Sequence, residues 1–131
     1  MAFSDQFDPG PQIAQCGTVN LGTRDIEKSL FFFRDTLGME EVERKDNVAY
    51  LRCYQELGHH SLVLTEQEEA VVNAFSFRVK RPQDVALFHE ELTRQGIEVL
   101  EVPAGAEAGR GAAIRFLLPG GGHPFELYYD M

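Results

Sequence analysis

The feature that most constrains the fold of this chain is an internal duplication: strand, helix, strand, strand, strand can be read twice along it. In the first copy, Cys16 to Thr23 has β character and Asp25 is placed to cap a helix. Ile26, Leu30, Phe33 and Leu37 then recur at spacings of four, three and four, which predicts one helix with a single apolar stripe. Gly38 closes it as an αL cap. Strands are expected at Glu40–Arg44, Val48–Tyr54 and Ser61–Thr65, with Asp46-Asn47 and Gly58 as the intervening turn formers. The second copy begins with Ala74 to Val79, where Phe75, Phe77 and Val79 share a face. Pro82 and Asp84 open a helix whose stripe is Val85, Phe88 and Leu92 and whose stop is Gly96. Ile97–Val102, Ala113–Leu118 and Pro124–Tyr129 complete the set, separated by a loop of small residues from Ala104 to Gly111 and by the Gly120-Gly121-Gly122 turn. A local echo supports the repeat: Leu37-Gly38-Met39-Glu40-Glu41-Val42 against Gln95-Gly96-Ile97-Glu98-Val99.

One such unit has a sheet covered by its helix on one face only. Two units side by side can curve their sheets around a shared concavity, where ligands can bind. The expected fold is therefore α+β: two tandem βαβββ modules, about 15–66 and 72–130, forming a curved mixed sheet around a concave cleft. With 131 residues the chain can build one core but not two ordinary domains. Residues 1–14, with Asp5, Asp8, Pro9, Gly10 and Pro11, read as a flexible arm, and 15–131 as a single domain.

Charge and composition exclude several classes of function. Acidic residues number 21 and basic residues 12, a formal charge of −9, so a phosphate backbone would be repelled and nucleic acid is not an expected partner. A cationic small molecule is electrostatically permitted. The apolar runs, such as Ser29-Leu30-Phe31-Phe32-Phe33, fall far short of the roughly 20 residues that span a bilayer, so no membrane partner is expected. The start, Met1-Ala2-Phe3-Ser4-Asp5-Gln6, has no basic or apolar leader region, and a cytoplasmic location is the default expectation. Cys16 and Cys53 lack C-x-x-C spacing and read as two small buried thiols.

Three groups of residues carry a family resemblance. The first is Gly17-Thr18-Val19-Asn20-Leu21 with Asp25-Ile26-Glu27-Lys28-Ser29-Leu30 and Leu37-Gly38, which resembles the opening module of the vicinal oxygen chelate (glyoxalase/bleomycin-resistance/extradiol dioxygenase) superfamily. The second is Tyr50-Leu51, Ser61-Leu62-Val63-Leu64 and Leu100-Glu101-Val102-Pro103-Ala104-Gly105. With the third, the ending Pro119 to Tyr128 that contains Gly122-His123-Pro124-Phe125-Glu126-Leu127-Tyr128, it resembles the amino-terminal domain of catechol 2,3-dioxygenase-type enzymes. The resemblance implies a divalent metal, Fe(II), held in the family's catalytic domain by two His and one Glu in a facial arrangement. Matched residue by residue, those ligand positions fall on Thr18, Ala74 and Glu126, of which only Glu126 is a ligand type. The implied role is a metal-free amino-terminal domain of an extradiol ring-cleavage dioxygenase, with no cofactor of its own, inactive alone. Its implied partner is a catalytic sister domain or a second copy of itself. Alternatives are a free-standing bleomycin-resistance-like dimer binding a small aromatic or cationic ligand, or a glyoxalase-like metalloenzyme with a relocated site using His60 and Glu126.

The candidate cleft residues are His60, Glu126 and Arg115, with Arg115 the expected partner of an inward Glu126 carboxylate. Adjacent strand residues point to opposite faces, so His59 and His60 cannot both ligate one ion without a bulge; they read as strand-end or solvent histidines, the alternative being a metal or proton-transfer role outside the family pattern. His89 is expected on the helix surface and His123 as a turn residue bonding to backbone. Phe33 belongs to the core stripe, which leaves Phe31 or Phe32 for a partner surface, with Tyr128 and Tyr129 as possible contributors. Glu40, Glu41, Glu43, Glu66, Glu68 and Glu69 crowding one groove would favour a site for cations. The glycine triplet lacks a following helix and a P-loop lysine, so it reads as a hairpin turn. Ser61 and Ser76 lack an elbow turn or a base and do not read as nucleophiles.

Overall fold

The computed structural model describes residues 8–131, so half of the expected arm, residues 1–7, lies outside the described residues. The strands are β1 (Ile13–Thr23), β2 (Glu40–Lys45), β3 (Val48–Arg52), β4 (Leu62–Glu66), β5 (Val72–Val79), β6 (Leu100–Val102), β7 (Ala113–Leu117) and β8 (Pro124–Tyr128). Two helices, α1 (Ile26–Leu30) and α2 (Asp84–Arg94), follow β1 and β5. Both copies of the expected strand-helix-strand-strand-strand unit are present. They join in one eight-stranded mixed sheet of order β2-β3-β4-β1-β5-β8-β7-β6. Within each unit the first and last strands run parallel, β1 with β4 and β5 with β8, while β1 and β5 pair antiparallel where the units meet. The sheet is therefore pseudo-symmetric about the β1/β5 seam.

Strand alternation sorts the side chains. On the helix-covered face each unit has its own core. Ile26, Leu30, Ala49, Leu51, Leu62 and Leu64 form the first, with Phe33 and Met39 packed against it. Val79, Ile114, Phe116 and Leu127 form the second, with Phe77, Val85, Phe88, Leu92 and Phe125 against it. The opposite face carries Thr18, Asn20, Tyr50, Val63, Ala74, Ser76, Arg115, Glu126 and Tyr128, the intervening residues of the same strands.

Some elements differ from the sequence reading. The first helix begins as expected, with Asp25 Oδ1 accepting from Lys28 N at 3.2 Å. After Leu30, however, the chain widens into a π-helical stretch, Phe31–Thr36, in which Leu37 N donates to Phe32 O at 2.9 Å. The wider turn swings Leu37 off the stripe, leaving it 58% exposed, and Met39 packs in its stead. Gly38 takes φ +80°, as an αL stop requires. β1 starts at Ile13, earlier than Cys16, and β6 is only Leu100–Val102, because Ile97 and Val99 pack as irregular chain against the second core. Both cysteines are exposed rather than buried: apolar neighbours in sequence do not guarantee a buried face, and Cys53 falls just past the end of β3. No helix among the described residues is long and apolar enough to cross a membrane.

Asp84 ties the second unit's helix entry to the chain just before β1. It is fully buried, its Oδ2 accepts from Gln12 N at 3.4 Å and Arg81 N at 3.2 Å, and its Oδ1 accepts from Arg81 Nε at 2.9 Å. Burial alone pushes this carboxyl up, but the Arg81 guanidinium and the two amides outweigh it and hold the value below the ordinary 3.8. A depressed folded-state value means the stabilisation is complete above the unfolded-state value and is lost as pH falls through the folded one. Asp84→Asn should therefore cost about 2–3 kcal/mol at neutral pH, the scale of hydrogen bonds to a buried charge. In urea titrations at pH 5 and at pH 2.5 the wild type should lose more stability than the variant. Equal losses would show that Asp84 is not a source of the acid sensitivity.

Candidate functional site

The loop between β6 and β7 decides what the uncovered face of the sheet can do. Its small residues let the chain lie close to the sheet, and it is knitted by turns: Ala106 N to Pro103 O at 3.2 Å, Arg110 N to Glu107 O at 3.1 Å and Gly105 N to Arg110 O at 3.0 Å. Ala108 N donates to the Tyr50 hydroxyl at 3.2 Å, fastening the loop to β3. Glu107 and Arg110 thereby enter the concavity, with only 10% and 2% of their side chains exposed.

There they meet the strand residues. Arg110 Nη1 donates to Glu126 Oε1 at 2.7 Å and lies 3.4 Å from Glu107 Oε1. Glu126 also accepts from Ser76 Oγ at 3.1 Å and, on Oε2, from Arg115 Nη1 at 3.2 Å, so the expected partnership with Arg115 is present. Arg115 Nη2 donates on to the Asn73 carbonyl at 2.7 Å. On the other side, Glu107 Oε2 is 2.7 Å from His60 Nε2 and accepts from Thr18 Oγ1 at 3.5 Å. Arg110 Nε is the buried polar side-chain atom without a hydrogen-bond partner among the described residues. The Tyr128 ring stands beside that guanidinium, its centroid 5.5 Å from the guanidinium carbon, and offers a π face in place of an acceptor.

The cavity left in the concavity is about 170 Å³, lined by Asn20, Tyr50, Val63, Ala74, Arg115 and Glu126 among others. Ligand pockets usually measure roughly 300–1,000 Å³. Ala106, Glu107 and Arg110 of the loop line it as well.

Thr18, Ala74 and Glu126 all lie on the concave face, but the sheet register groups them differently. Thr18 pairs with Ser76 across β1/β5, and Ser76 pairs with Glu126 across β5/β8. Ser76 therefore stands between Thr18 and Glu126, and Ala74 lies a pleat away opposite Asn20. This set does not fit a divalent metal. One carboxylate is present, two guanidinium groups and a hydroxyl occupy its oxygens, and no imidazole points at it. His60 and Glu126 do not converge either, since Glu107 and Arg110 separate them. Among the described residues no group of three His, Cys, Asp or Glu side chains is arranged to hold an ion.

His59 and His60 depart from the strand reading. They precede β4 in a bend, so alternation does not apply, and their Nδ1 atoms face each other at 2.8 Å. His60 is 3% exposed, not a solvent histidine. His89 is half-buried on α2, and His123 is an exposed turn residue whose carbonyl accepts from Leu118 N at 2.8 Å. The acidic residues do not crowd the cleft. Glu40 pairs with Arg52, Glu41 with Arg34 and Arg44, and Glu43 with His59, while Glu66 accepts from Ile26 N at 2.9 Å. Glu107 and Arg110 were missed from sequence because they sit in a stretch that reads only as a small-residue loop. Their spacing of three, the only charges in that stretch, was the available signal.

Residues 72–131 match the family described as catechol 2,3-dioxygenase-like N-terminal domain. The chain is 46% identical over 120 residues to a manganese-dependent 2,3-dihydroxybiphenyl 1,2-dioxygenase of Geobacillus genomosp. 3, covering 92% of this chain and 38% of that one. It is 32% identical over 124 residues to a metapyrocatechase of Geobacillus stearothermophilus, covering 95% and 37%. Among solved structures, homoprotocatechuate 2,3-dioxygenase of Arthrobacter globiformis superposes with TM-score 0.88 at 33% identity, over 94% of this chain and 38% of that one. In sequence and fold the chain is similar to extradiol dioxygenases of the vicinal oxygen chelate superfamily, and to their amino-terminal domain in particular. It spans 38% and 37% of the length of these two curated relatives.

Removing one partner of a buried ion pair leaves the other charge stranded and typically costs about 3–5 kcal/mol. Arg110→Ala should fall in that range, because it removes the buried cation that Glu126 and Glu107 share. Arg115→Ala, whose side chain is 35% exposed, should cost about 1 kcal/mol or less. Chemical denaturation of the two variants checks the order, and equal costs would show that Arg110 is not the cation on which the cleft is built.

Proposed function

We propose that this chain is the metal-free amino-terminal domain of an extradiol ring-cleavage dioxygenase, a cytoplasmic protein whose divalent metal, iron or manganese, is held by a sister domain. Its role is architectural, and alone it does not open a catechol ring. The observation that carries this reading is the Arg110–Glu126 pair at 2.7 Å: a fixed guanidinium occupies the one carboxylate that a metal centre in this cleft would need. A reaction chamber must also admit substrate and leave open positions on its metal. Here the loop carrying Glu107 and Arg110 borders a cavity of only about 170 Å³.

The sister domain, or a second copy of this chain, is the partner in this reading. Phe31, Phe32 and Leu37 are 65%, 51% and 58% exposed at the π-helical end of the first helix, an apolar surface of the kind that marks an interface. A groove that sequesters a cationic drug finds no support, because none of Glu40, Glu41, Glu43, Glu66, Glu68 and Glu69 borders the cleft.

The test is to purify the chain anaerobically, measure its iron and manganese by elemental analysis, and assay oxygen uptake and ring opening with catechol and 2,3-dihydroxybiphenyl. The expected result is substoichiometric metal and no turnover when Fe(II) or Mn(II) is added. Turnover with one equivalent of metal, both lost in Glu126→Ala, would overturn the reading.

A further inference from the structure

The contacts of His59 and His60 impose a proton count. His59 Nε2 lies 3.0 Å from Glu43 Oε1, His59 Nδ1 lies 2.8 Å from His60 Nδ1, and His60 Nε2 lies 2.7 Å from Glu107 Oε2. Each gap is at hydrogen-bond distance and each needs one proton. Two neutral imidazoles supply one proton apiece. If both sit on Nε2, facing the carboxylates, the two Nδ1 lone pairs confront each other across 2.8 Å. If one moves to Nδ1, an Nε2 lone pair confronts a carboxylate oxygen instead. No arrangement of two protons fills three gaps.

A metal ion does not resolve the conflict. The ring centroids are 5.1 Å apart, which is the nitrogen gap plus roughly one ring radius on each side, so the nitrogens face each other along the line of centres. Two metal–imidazole bonds in that line, at about 2.0–2.1 Å each, would hold the nitrogens about 4 Å apart. A single proton fits the gap.

The surrounding charges favour it. The groups linked to the pair alternate in sign between two solvent-reaching ends: Glu43, the histidine pair, Glu107, Arg110, Glu126 and Arg115. With one extra proton on the pair, three carboxylates are matched by three cations and the run is neutral from Glu43 to Arg115. With none, it carries an uncompensated negative charge. Other neighbours do not supply the difference. Tyr50 on β3 packs against both rings with centroids at 6.0 and 4.8 Å, and Thr18 on β1 shares Glu107. Burial and the nearby Glu107 push the Tyr128 hydroxyl on β8 up, so it stays neutral. Glu56, which borders the groove beside His60, is another acid and accepts from Cys53 N at 3.3 Å.

We propose that His59 and His60 form a proton-binding dyad, holding one proton beyond those of two neutral imidazoles between their Nδ1 atoms, and that this proton clamps the 103–112 loop over the cleft. The loop is shaped to receive it. Gly109, at φ +72°, lies so close that a Cβ there would stand 2.5 Å from the His59 ring. Glu107, two residues earlier, is the direct tether to His60.

The test is long-range proton–nitrogen NMR of the ring nitrogens in the full chain labelled with ¹⁵N-histidine, at pH 7. Three of the four ring nitrogens of His59 and His60 should be protonated, both Nε2 fully. The Nδ1 pair should share one far-downfield proton coupled to both rings. His89 and His123, outside the run, serve as internal references. Finding only two protons on the dyad, or a bare Nε2 on either ring, would overturn the proposal without any variant. In Glu107→Gln, folded by circular dichroism, the third proton should be lost and the Ala108 and Arg110 amides should exchange at least tenfold faster. Retention of the third proton in that variant would overturn the charge argument.

Discussion

The buried pair of Arg110 with Glu126 is the interaction on which the rest of the cleft depends. A carboxylate on β8 that faces the inside of a curved sheet must be neutralised or hydrated, because an isolated buried charge is costly. The chain solves this with a guanidinium delivered from a loop. Once Arg110 enters the concavity it needs further acceptors, and Glu107, spaced three residues away, supplies one. Glu107 in turn needs donors and finds Thr18 Oγ1 and His60 Nε2. The run of alternating charges thus follows from one inward carboxylate, each group being compensated by the next until the last ones, Glu43 and Arg115, reach solvent.

The duplication makes such a concavity unavoidable. Each unit buries one sheet face under a single short helix, so two units joined at the β1/β5 seam leave a continuous uncovered face. That face must be lined by polar residues open to water, by a ligand, or by chain folded back onto it. The first unit has nine residues between β3 and β4, from Cys53 to Ser61, and these bring His60 to Glu107. The second has ten residues between β6 and β7, from Pro103 to Ala112, and these close the cleft. The two units therefore share a topology, and their two longest strand connections meet at the His60–Glu107 contact, 2.7 Å. Tyr128 shows how tight the cover's surroundings are, because a Cβ at Gly17 would stand 2.2 Å from its hydroxyl.

How much of this was legible in the sequence depended on the range of the forces involved. Periodicity reports which face is buried, and it identified both helices, the eight strands and the αL stops at Gly38 and Gly96, which take φ +80° and +82°. It located Glu126 on an inward face and Arg115 within reach of it. It could not show that a π-helical turn would rotate Leu37 out of its stripe, since that turns on a local hydrogen-bond choice rather than on composition. Nor could it place His59 and His60 together, because alternation holds only where the backbone is extended and theirs is bent. Glu107 and Arg110 were invisible for a different reason. A loop between two strands is constrained by its ends alone, and nothing local says whether its charged residues face solvent or turn inward.

That asymmetry bears on what the domain is for. A cleft kept for a ligand would be expected to retain an open cavity and a few convergent polar groups with capacity to spare. Here Glu126 already accepts from two arginines and a serine, and Glu107 already meets His60, Thr18 and Arg110. The polar groups are directed at one another. A buried network whose charges are paired with one another favours one arrangement of its loop over others, because rearrangement separates those charges. Such a network suits a domain that must present a fixed shape to a neighbour. The apolar surface it offers, Phe31 and Phe32 on the widened turn, lies on the first unit's helix rather than in the cleft, so covering that surface would leave the ion run undisturbed.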